Sequence, residues 1–323
     1  MMMAPRAARR LGSSFYRRRR AHGRAAARRR PCLWFDVRRE LVPYAQALEW
    51  QRALARARYN RPELPDAVLV LEHPPVYTLG RGATADNVLF DPAAGDYELH
   101  RVERGGEVTY HGPGQLVVYP ILHLDAHRRD LHWYVRSIED VIIRVLGLNG
   151  VRGFRIDGLT GVWANPGAGA AESDMVAAAG STTGAGRDDG RESGRRDAGR
   201  RDAGADAADA VKVAAVGINV SKWVTMHGFS INVNPRLADF ARIVPCGIVG
   251  RGVGSLEHVC NAGDGGRREG AAAPCLLRVD DVREQVARVF SDVFSVELRH
   301  HDAHDARRLA AYDGGDGQNA PVL

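Results

Sequence analysis

This 323-residue chain has no cysteine pairing pattern. Its four cysteines, Cys32, Cys246, Cys260 and Cys275, make no C-x-x-C unit and have neither zinc-ribbon nor disulfide-framework spacing. Structural zinc and disulfides therefore do not organise the fold, and in a reducing compartment all four are thiols, one of them a candidate nucleophile. No apolar run approaches the roughly 18 residues that a membrane-crossing helix needs. The phosphate-cradling G-x-x-x-x-G-K-[ST] loop is also missing, as is a convincing G-x-G-x-x-G opening a helix. Gly247–Gly254 (G-I-V-G-R-G-V-G) is rich in glycine but lacks that context. Acidic residues are absent from positions 1–30, which hold eleven arginines; without those, the formal charge of +6 becomes −5 for the remainder. A mildly acidic body removes the electrostatic basis for general nucleic-acid binding.

The arginine-rich, acid-free leader also contains Ala and Ser but no continuous apolar core of a secretory signal. It reads as an organellar transit peptide over residues 1–30. Its arginine content favours the mitochondrial matrix, with a plastid as the alternative; a basic arm that binds polyanions is the competing reading. The chain is 45% apolar, enough for a substantial core in one large domain or two ordinary ones.

Periodicity then orders the elements. Cys32–Val37 reads as a first strand, followed by a helix that begins near Pro43, since proline is tolerated in a first turn. Ala67–Leu71 is a continuous apolar strand, buried on both faces if central, and Val76–Leu79 is the next. Leu99–Glu103 and Glu107–Tyr110 flank Gly105-Gly106 in the pattern of a tight hairpin. Gln115–Leu122 is a further strand. Asp130–Leu148 is a helix with Leu131, Tyr134, Val135, Ile138, Val141, Ile142 and Val145 on one face. Strands are expected at Phe154–Asp157, Thr160–Ala164, Val211–Val220 and Val224–Val233. The final helix spans Asp280–Phe294 with Asp280 or Asp281 as N-cap, and Ser295–Arg299 is a last strand. Asn165–Ala210 has no Leu, Ile, Phe, Tyr or Trp, cannot offset its ordering entropy, and reads as a disordered insertion. Trp163 and Val211 are then neighbours in a hairpin with an expanded tip. A second low-complexity patch occupies 261–274.

Four stretches concentrate chemistry. Arg104–Gln115 (R-G-G-E-V-T-Y-H-G-P-G-Q) packs Arg104, Thr109, Tyr110, His111 and Gln115 onto a backbone opened by glycine and stiffened by Pro113. It reads either as a plain turn between strands or as a binding wall. Lys212–Gly217 (K-V-A-A-V-G) carries one lysine on an apolar strand, Met226–Val233 holds the His227-Gly228 step, and Ile243–Ile248 sets Cys246 between Pro245 and Gly247. Singly, each has a structural explanation: a buried thiol, a snorkelling lysine, a hydrogen-bonded histidine. The Pro-Cys-Gly step raises the weight of a nucleophile, because it frees space around the thiol. A nearby ammonium such as Lys212 would favour the thiolate, and a lysine that has lost its proton could serve as general base. His123, His127 and His132 share a region, but their spacing straddles a turn and no second cluster supports a metal.

Together these stretches, with Val76–Gly82, Gly161-Val162-Trp163 and Ser255-Leu256, resemble the octanoyl-[acyl-carrier-protein]:protein N-octanoyltransferase family over about Leu33 to Phe294. The resemblance implies an α/β fold, a mixed sheet backed by helices, of the type shared with lipoate and biotin protein ligases. It implies a single catalytic domain over 31–299, with the insertions at 165–210 and 261–274 and a loose tail at 300–323. The implied reaction moves octanoyl from octanoyl-acyl carrier protein to the lysine of lipoyl domains, those of 2-oxoacid dehydrogenases and the glycine cleavage H protein. By position, Cys246 is the acyl-carrying nucleophile and Lys212 its activating partner. Substrate contacts fall on Arg104, Gly105, Gly106, Glu107, Val108, Thr109, Tyr110 and His111. Further contacts fall on Ala215, Val216 and Gly217, and on Gly228, Phe229 and Ser230. No cofactor or metal, no nucleic acid and no membrane enters this reading, and a monomer is its default. The competing readings are an ATP-dependent lipoate ligase on the same fold, separated by an ATP requirement, and a catalytically inactive acyl-binding module, separated by thiol reactivity at Cys246.

Overall fold

A computed structural model describes residues 29–169, 209–248, 250–262, 275–302 and 305. The leader through 28, the tract 170–208, the patch 263–274 and the tail beyond 305 lie outside the described residues, so the expectations placed on them are not addressed. The central element is an eight-stranded sheet in the order β11-β1-β2-β6-β10-β9-β8-β7. These strands are β1 (Arg30–Leu41), β2 (Asp66–Glu72), β6 (Gln115–Ile121), β7 (Val151–Ile156), β8 (Leu159–Gly169), β9 (Val211–Ser221), β10 (Val224–Asn232) and β11 (Val296–His301). β1 runs parallel to both β2 and β11, and every other neighbour pair is antiparallel. A mixed sheet of the kind expected results.

Side-chain alternation along the strands builds two cores. Cys32, Trp34, Val68 and Val70 face α2 (Leu131–Leu148) and α4 (Val279–Val293), against Ile138, Ile142, Val286 and Phe290. Leu33, Phe35, Leu69 and Leu71 face α1 (Tyr44–Asn60), against Tyr44, Trp50 and Leu54. That two-sided burial is why β2 reads as an unbroken apolar run, and each such side chain contributes about 1.5–3 kcal/mol. α1 follows Pro43, and Pro62 just beyond its end prevents continuation. The Asp130 carboxylate accepts the Trp133 N–H at 3.0 Å and caps α2. Leu131, expected on the apolar face of α2, is exposed instead, because it lies in the first turn beyond the reach of the sheet.

The expected hairpin around Gly105-Gly106 is not formed. β4 (Leu99–Arg101) pairs in parallel with β3 (Val76–Leu79), and β5 (Val108–His111) pairs antiparallel with the other edge of β3. The glycines therefore carry the chain across β3 in a second, three-stranded sheet, because β3 satisfies both neighbours' backbone groups. Two further expectations shift. β8 remains a strand through Gly169, beyond the composition break at Asn165, and α4 has Arg278 rather than an aspartate at its N-cap. Asp280 and Asp281 occupy its first turn, where negative charge complements the helix dipole. The proximity of Trp163 to Val211 holds: β8 and β9 are paired with Trp163 opposite Lys212 and Ala164 opposite Val211. α3 (Leu256–Ala262) packs against β8.

Candidate active site

Cys246 sits in a single 3-10 turn, Pro245–Gly247, with φ 57° and ψ 17°. A left-handed conformation is uncommon for a side-chain-bearing residue and persists only where its surroundings hold it. Here the Val244 N–H donates to the Asn87 carbonyl at 2.9 Å, and Val88 bridges Ile243. The Asn87 amide in turn donates to Glu107 Oε2 at 3.1 Å, so the thiol-bearing turn is tied to the loop before β5.

Lys212 approaches from β9, 34 residues earlier in the chain. Its Nζ lies 3.1 Å from Cys246 Sγ and 5.5 Å from the centre of the Trp163 ring. Among the described residues no carboxylate forms an ion pair with it, and the residue is buried. The Cys246 sulfur is its side-chain hydrogen-bond partner. Room for the side chain comes from Gly161, whose φ is +116°. A Cβ there would lie 2.6 Å from Lys212 Cε and 2.6 Å from the Ala214 carbonyl oxygen. The Lys212 backbone is fixed by the segment after Cys246: its N–H donates to the Gly252 carbonyl at 2.9 Å, and Gly254 N–H donates to its carbonyl at 3.0 Å. Gly247–Gly254 is thus partly a strap on β9.

A cavity of about 220 Å³ opens from this pair between the two sheets. Leu159 and Thr160 at the start of β8, with Ile248, line it. Ala215, Gly217, Gly228 and Ser230, small residues on the paired strands β9 and β10, line it as well. Tyr44, Arg104, His111, Tyr119 and His227 line the remainder.

The residues singled out in the sequence divide accordingly. Arg104, Gly106, Glu107, Thr109, His111, Ala215, Val216, Gly217, Gly228, Phe229, Ser230, Lys212 and Cys246 all border the cavity. Gly105, Val108 and Tyr110 do not. Strand alternation turns Thr109 and His111 inward and sends Val108 and Tyr110 to the opposite face. There they pack with Tyr77, Phe240 and Ile243, and the Tyr110 hydroxyl donates to Asp239 Oδ2 at 3.0 Å. Gly105 is spent on a backbone bond, its N–H donating to the Ile218 carbonyl at 2.9 Å. Tyr44, Val117, Tyr119, Gly158, Leu159, Thr160, His227 and Ile248 border the cavity too, outside the residues that the resemblance assigns. His227, beside Gly228, and Ile248, two residues after Cys246, lie in stretches that the sequence marks for chemistry, whereas Tyr44, Val117 and Tyr119 read as ordinary core.

Polar contacts knit these walls. The His111 Nδ1–H donates to Gln115 Oε1 at 2.6 Å, Gln115 Nε2 donates to Asn232 Oδ1 at 2.8 Å, and Asn232 Nδ2 donates to the Gly254 carbonyl at 2.9 Å. A continuous relay therefore joins the β5 wall to the strap on Lys212. The Arg104 guanidinium donates to the Thr78 carbonyl at 2.7 Å and to Thr78 Oγ1 at 2.9 Å. His73 Nδ1–H donates to the Val42 carbonyl at 2.6 Å, which leaves Nε2 to accept from the Tyr119 hydroxyl at 2.8 Å. His127 Nε2 lies 2.8 Å from Asp66 Oδ2, whose other oxygen accepts the His123 N–H at 3.0 Å, so these groups are committed to the fold.

Burial holds three histidines neutral. His73 is lowered from its ordinary 6.5 to about 4, His111 to about 3, and His227 to about 4, desolvation leading in each case. The neighbouring His73 charge adds to the effect at His111, and the Arg104 charge at His227. Between about pH 6.5 and 4 the unfolded chain binds protons that the fold refuses, so stability falls as pH drops through that window. The slope is on the order of 1.4 kcal/mol per pH unit for each titrating histidine. Urea midpoints measured from pH 7 to pH 4.5 should fall steadily; a flat profile would contradict neutral burial.

The architecture is that of lipoate protein ligases. A bi-partite lipoate protein ligase from Thermoplasma acidophilum superposes with TM-score 0.55 at 12% identity, covering 88% of this chain and 91% of that one. A lipoate-protein ligase A bound with ATP gives TM-score 0.53 at 14% identity, covering 88% and 93%. At such identities the likeness concerns the fold. Sequence relationship goes further, since the lipoyl protein ligase A/B catalytic domain profile matches residues 43–291. The Gloeobacter violaceus octanoyltransferase is 46% identical, over 80% of this chain and 88% of its own. The Nostoc sp. octanoyltransferase is 42% identical over 83% and 94%, and an Arabidopsis thaliana octanoyltransferase described as chloroplastic is 36% identical over 83% and 81%. The chain belongs to the lipoyl protein ligase A/B catalytic-domain family, among its octanoyltransferases.

Proposed function

We propose that this enzyme moves an octanoyl group from octanoyl-acyl carrier protein, through a thioester on Cys246, to the lysine of a lipoyl domain. The observation that carries the reading is the 3.1 Å contact between Lys212 Nζ and Cys246 Sγ at one end of the cavity. The Cys246 thiolate attacks the donor carbonyl, the C–S bond to the carrier breaks, and the departing sulfur takes a proton from the Lys212 ammonium. One thioester replaces another of similar energy, so no ATP is consumed. The acceptor amine then attacks the new thioester, passes its extra proton to the Lys212 amine, and expels the Cys246 thiolate. Amide formation makes this second step downhill. Charge on the tetrahedral oxygen calls for donors near the thiol. The N–H groups of Gly247 and Ile248 are already bonded to the Val244 and Pro245 carbonyls. Lys212 is therefore the cation best placed to share that role.

Arg104 is buried with no carboxylate at ion-pair distance among the described residues, and it remains a wall of the acyl cavity rather than a participant in proton transfer. Acceptors of this reading are the lipoyl domains of 2-oxoacid dehydrogenases and the glycine cleavage H protein, and the monomer is the working unit. Destination is an organelle: the arginine-rich leader favours the mitochondrion, while the chloroplastic Arabidopsis relative supports a plastid. The test is to incubate the protein with octanoyl-acyl carrier protein without ATP, map the modified residue by mass spectrometry, and then add lipoyl domain. Octanoyl on Cys246 that passes to the acceptor lysine supports the reading. Product formed only when ATP is added would favour a ligase.

A further inference from the structure

The cavity has a polar boundary at a fixed distance from the thiol. Cys246 shares a small pocket beside Lys212 with Ala215 and Ser230, which face each other in the β9–β10 register. Two and three residues further along, Gly228 faces Gly217 and His227 faces Ile218. The Gly105 N–H bond to the Ile218 carbonyl brings the preceding loop to that same level, and a Cβ on Gly217 would meet Arg104 Cδ at 3.0 Å. Arg104 and His227 thus stand roughly 7–10 Å beyond the Ala215–Ser230 pair, at about 3.3 Å per strand residue. An extended eight-carbon acyl chain is about 9 Å long, counting C–C bonds of roughly 1.5 Å and tetrahedral bends.

What stands at that level is chemically wrong for a hydrocarbon. His227 is 1% exposed, with φ 56°, and neither ring nitrogen has a hydrogen-bond partner. Its Nε2 is 3.9 Å from Glu103 Oε2, itself an unpartnered buried atom. Arg104 Nε is likewise without a partner. Methylene groups pressed against such atoms remove any hydration without replacing its hydrogen bonds. The stretch lined by Ala215, Gly217, Gly228, Ser230 and Val117 holds none of the unpartnered buried polar atoms.

We propose that Arg104 and His227 form a polar end-stop that limits the acyl chain to about eight carbons. This rests on the acyltransfer reading of the site and adds to it the origin of chain-length selectivity. The experiment measures kcat/KM for acyl-Cys246 formation with hexanoyl-, octanoyl-, decanoyl- and dodecanoyl-acyl carrier protein. The wild-type enzyme is expected to prefer octanoyl over decanoyl by about tenfold or more, a discrimination within reach of small changes in chain length. His227→Gly and His227→Asn both suit the left-handed backbone at this position and both deepen the cavity. Either variant, shown folded by circular dichroism, is expected to raise the decanoyl-to-octanoyl ratio by about tenfold, the glycine variant more. A ratio within twofold of wild type in a folded variant overturns the end-stop, as does a wild-type enzyme that accepts decanoyl equally. Absence of acyl-Cys246 from wild-type protein with every donor would instead overturn the acyltransfer reading.

Discussion

Cys246→Ala protein is expected to carry no octanoyl group after incubation with octanoyl-acyl carrier protein, and its transfer rate should fall on the order of 10⁴-fold or more. The reasoning starts from geometry. A thiol is held in a left-handed turn by Asn87 and the Val88–Ile243 bridge, at the mouth of a cavity and beside an ammonium. No other cysteine shares that setting. Cys32 is fully buried between sheet and helices, with its thiol pushed far up by desolvation, and Cys260 packs against the core with its thiol 3.8 Å from the Asn149 carbonyl at the end of α2. Intact-mass measurement is the check. An octanoyl adduct on the alanine variant, or turnover near the wild-type rate, would rule out the covalent route and leave direct transfer between the two carrier proteins.

Loss of the Lys212 amine should be the second-largest effect. Lys212→Ala is expected to slow both half-reactions at neutral pH by about 10²–10⁴-fold, the usual range for a positioned proton-transfer group. Thiolate formation loses its counter-charge in the first step, and the acceptor amine loses its base in the second. Lys212→Ala removes the 5.5 Å cation–ring contact with Trp163 as well, so folding is to be compared by thermal melting. Rapid-quench measurement of acyl-enzyme formation and decay separates the half-reactions. Raising the pH should recover part of the first step, because more thiolate forms without help, while the second stays impaired. Unchanged rates in both steps would remove Lys212 from the mechanism.

Much of the architecture was legible because burial leaves a period in the sequence. β2 and α2 announce themselves as an apolar run and a 3.6-residue stripe, since each packs along its whole length. The β3–β4–β5 sheet was misread because pairing is a choice among edges. Leu99–Glu103 and Glu107–Tyr110 look like hairpin arms, yet β3 offered both of them a better-placed partner. Likewise, the resemblance assigns substrate contacts to every position from Arg104 to His111. Strand alternation divides them, turning Thr109 and His111 toward the cavity and Val108 and Tyr110 toward Phe240.

The amino-acid sequence alone determined the residue types available for chemistry, the strand and helix periods and, through the long R-G-G-E-V-T-Y-H-G-P-G-Q motif followed by Lys212 and Pro-Cys-Gly, the family likeness. These are local or linear properties, and spacing along the chain preserves them. Only the tertiary structure decided that Lys212 reaches Cys246 at 3.1 Å past a glycine with no side chain to block it, and that Tyr44, Tyr119 and His227 share their cavity. Such facts depend on β9, β10 and β6 lying side by side and on a small sheet crossing above them. Contacts between residues on different, sequence-distant elements leave no period in a single sequence, so packing alone assembles them.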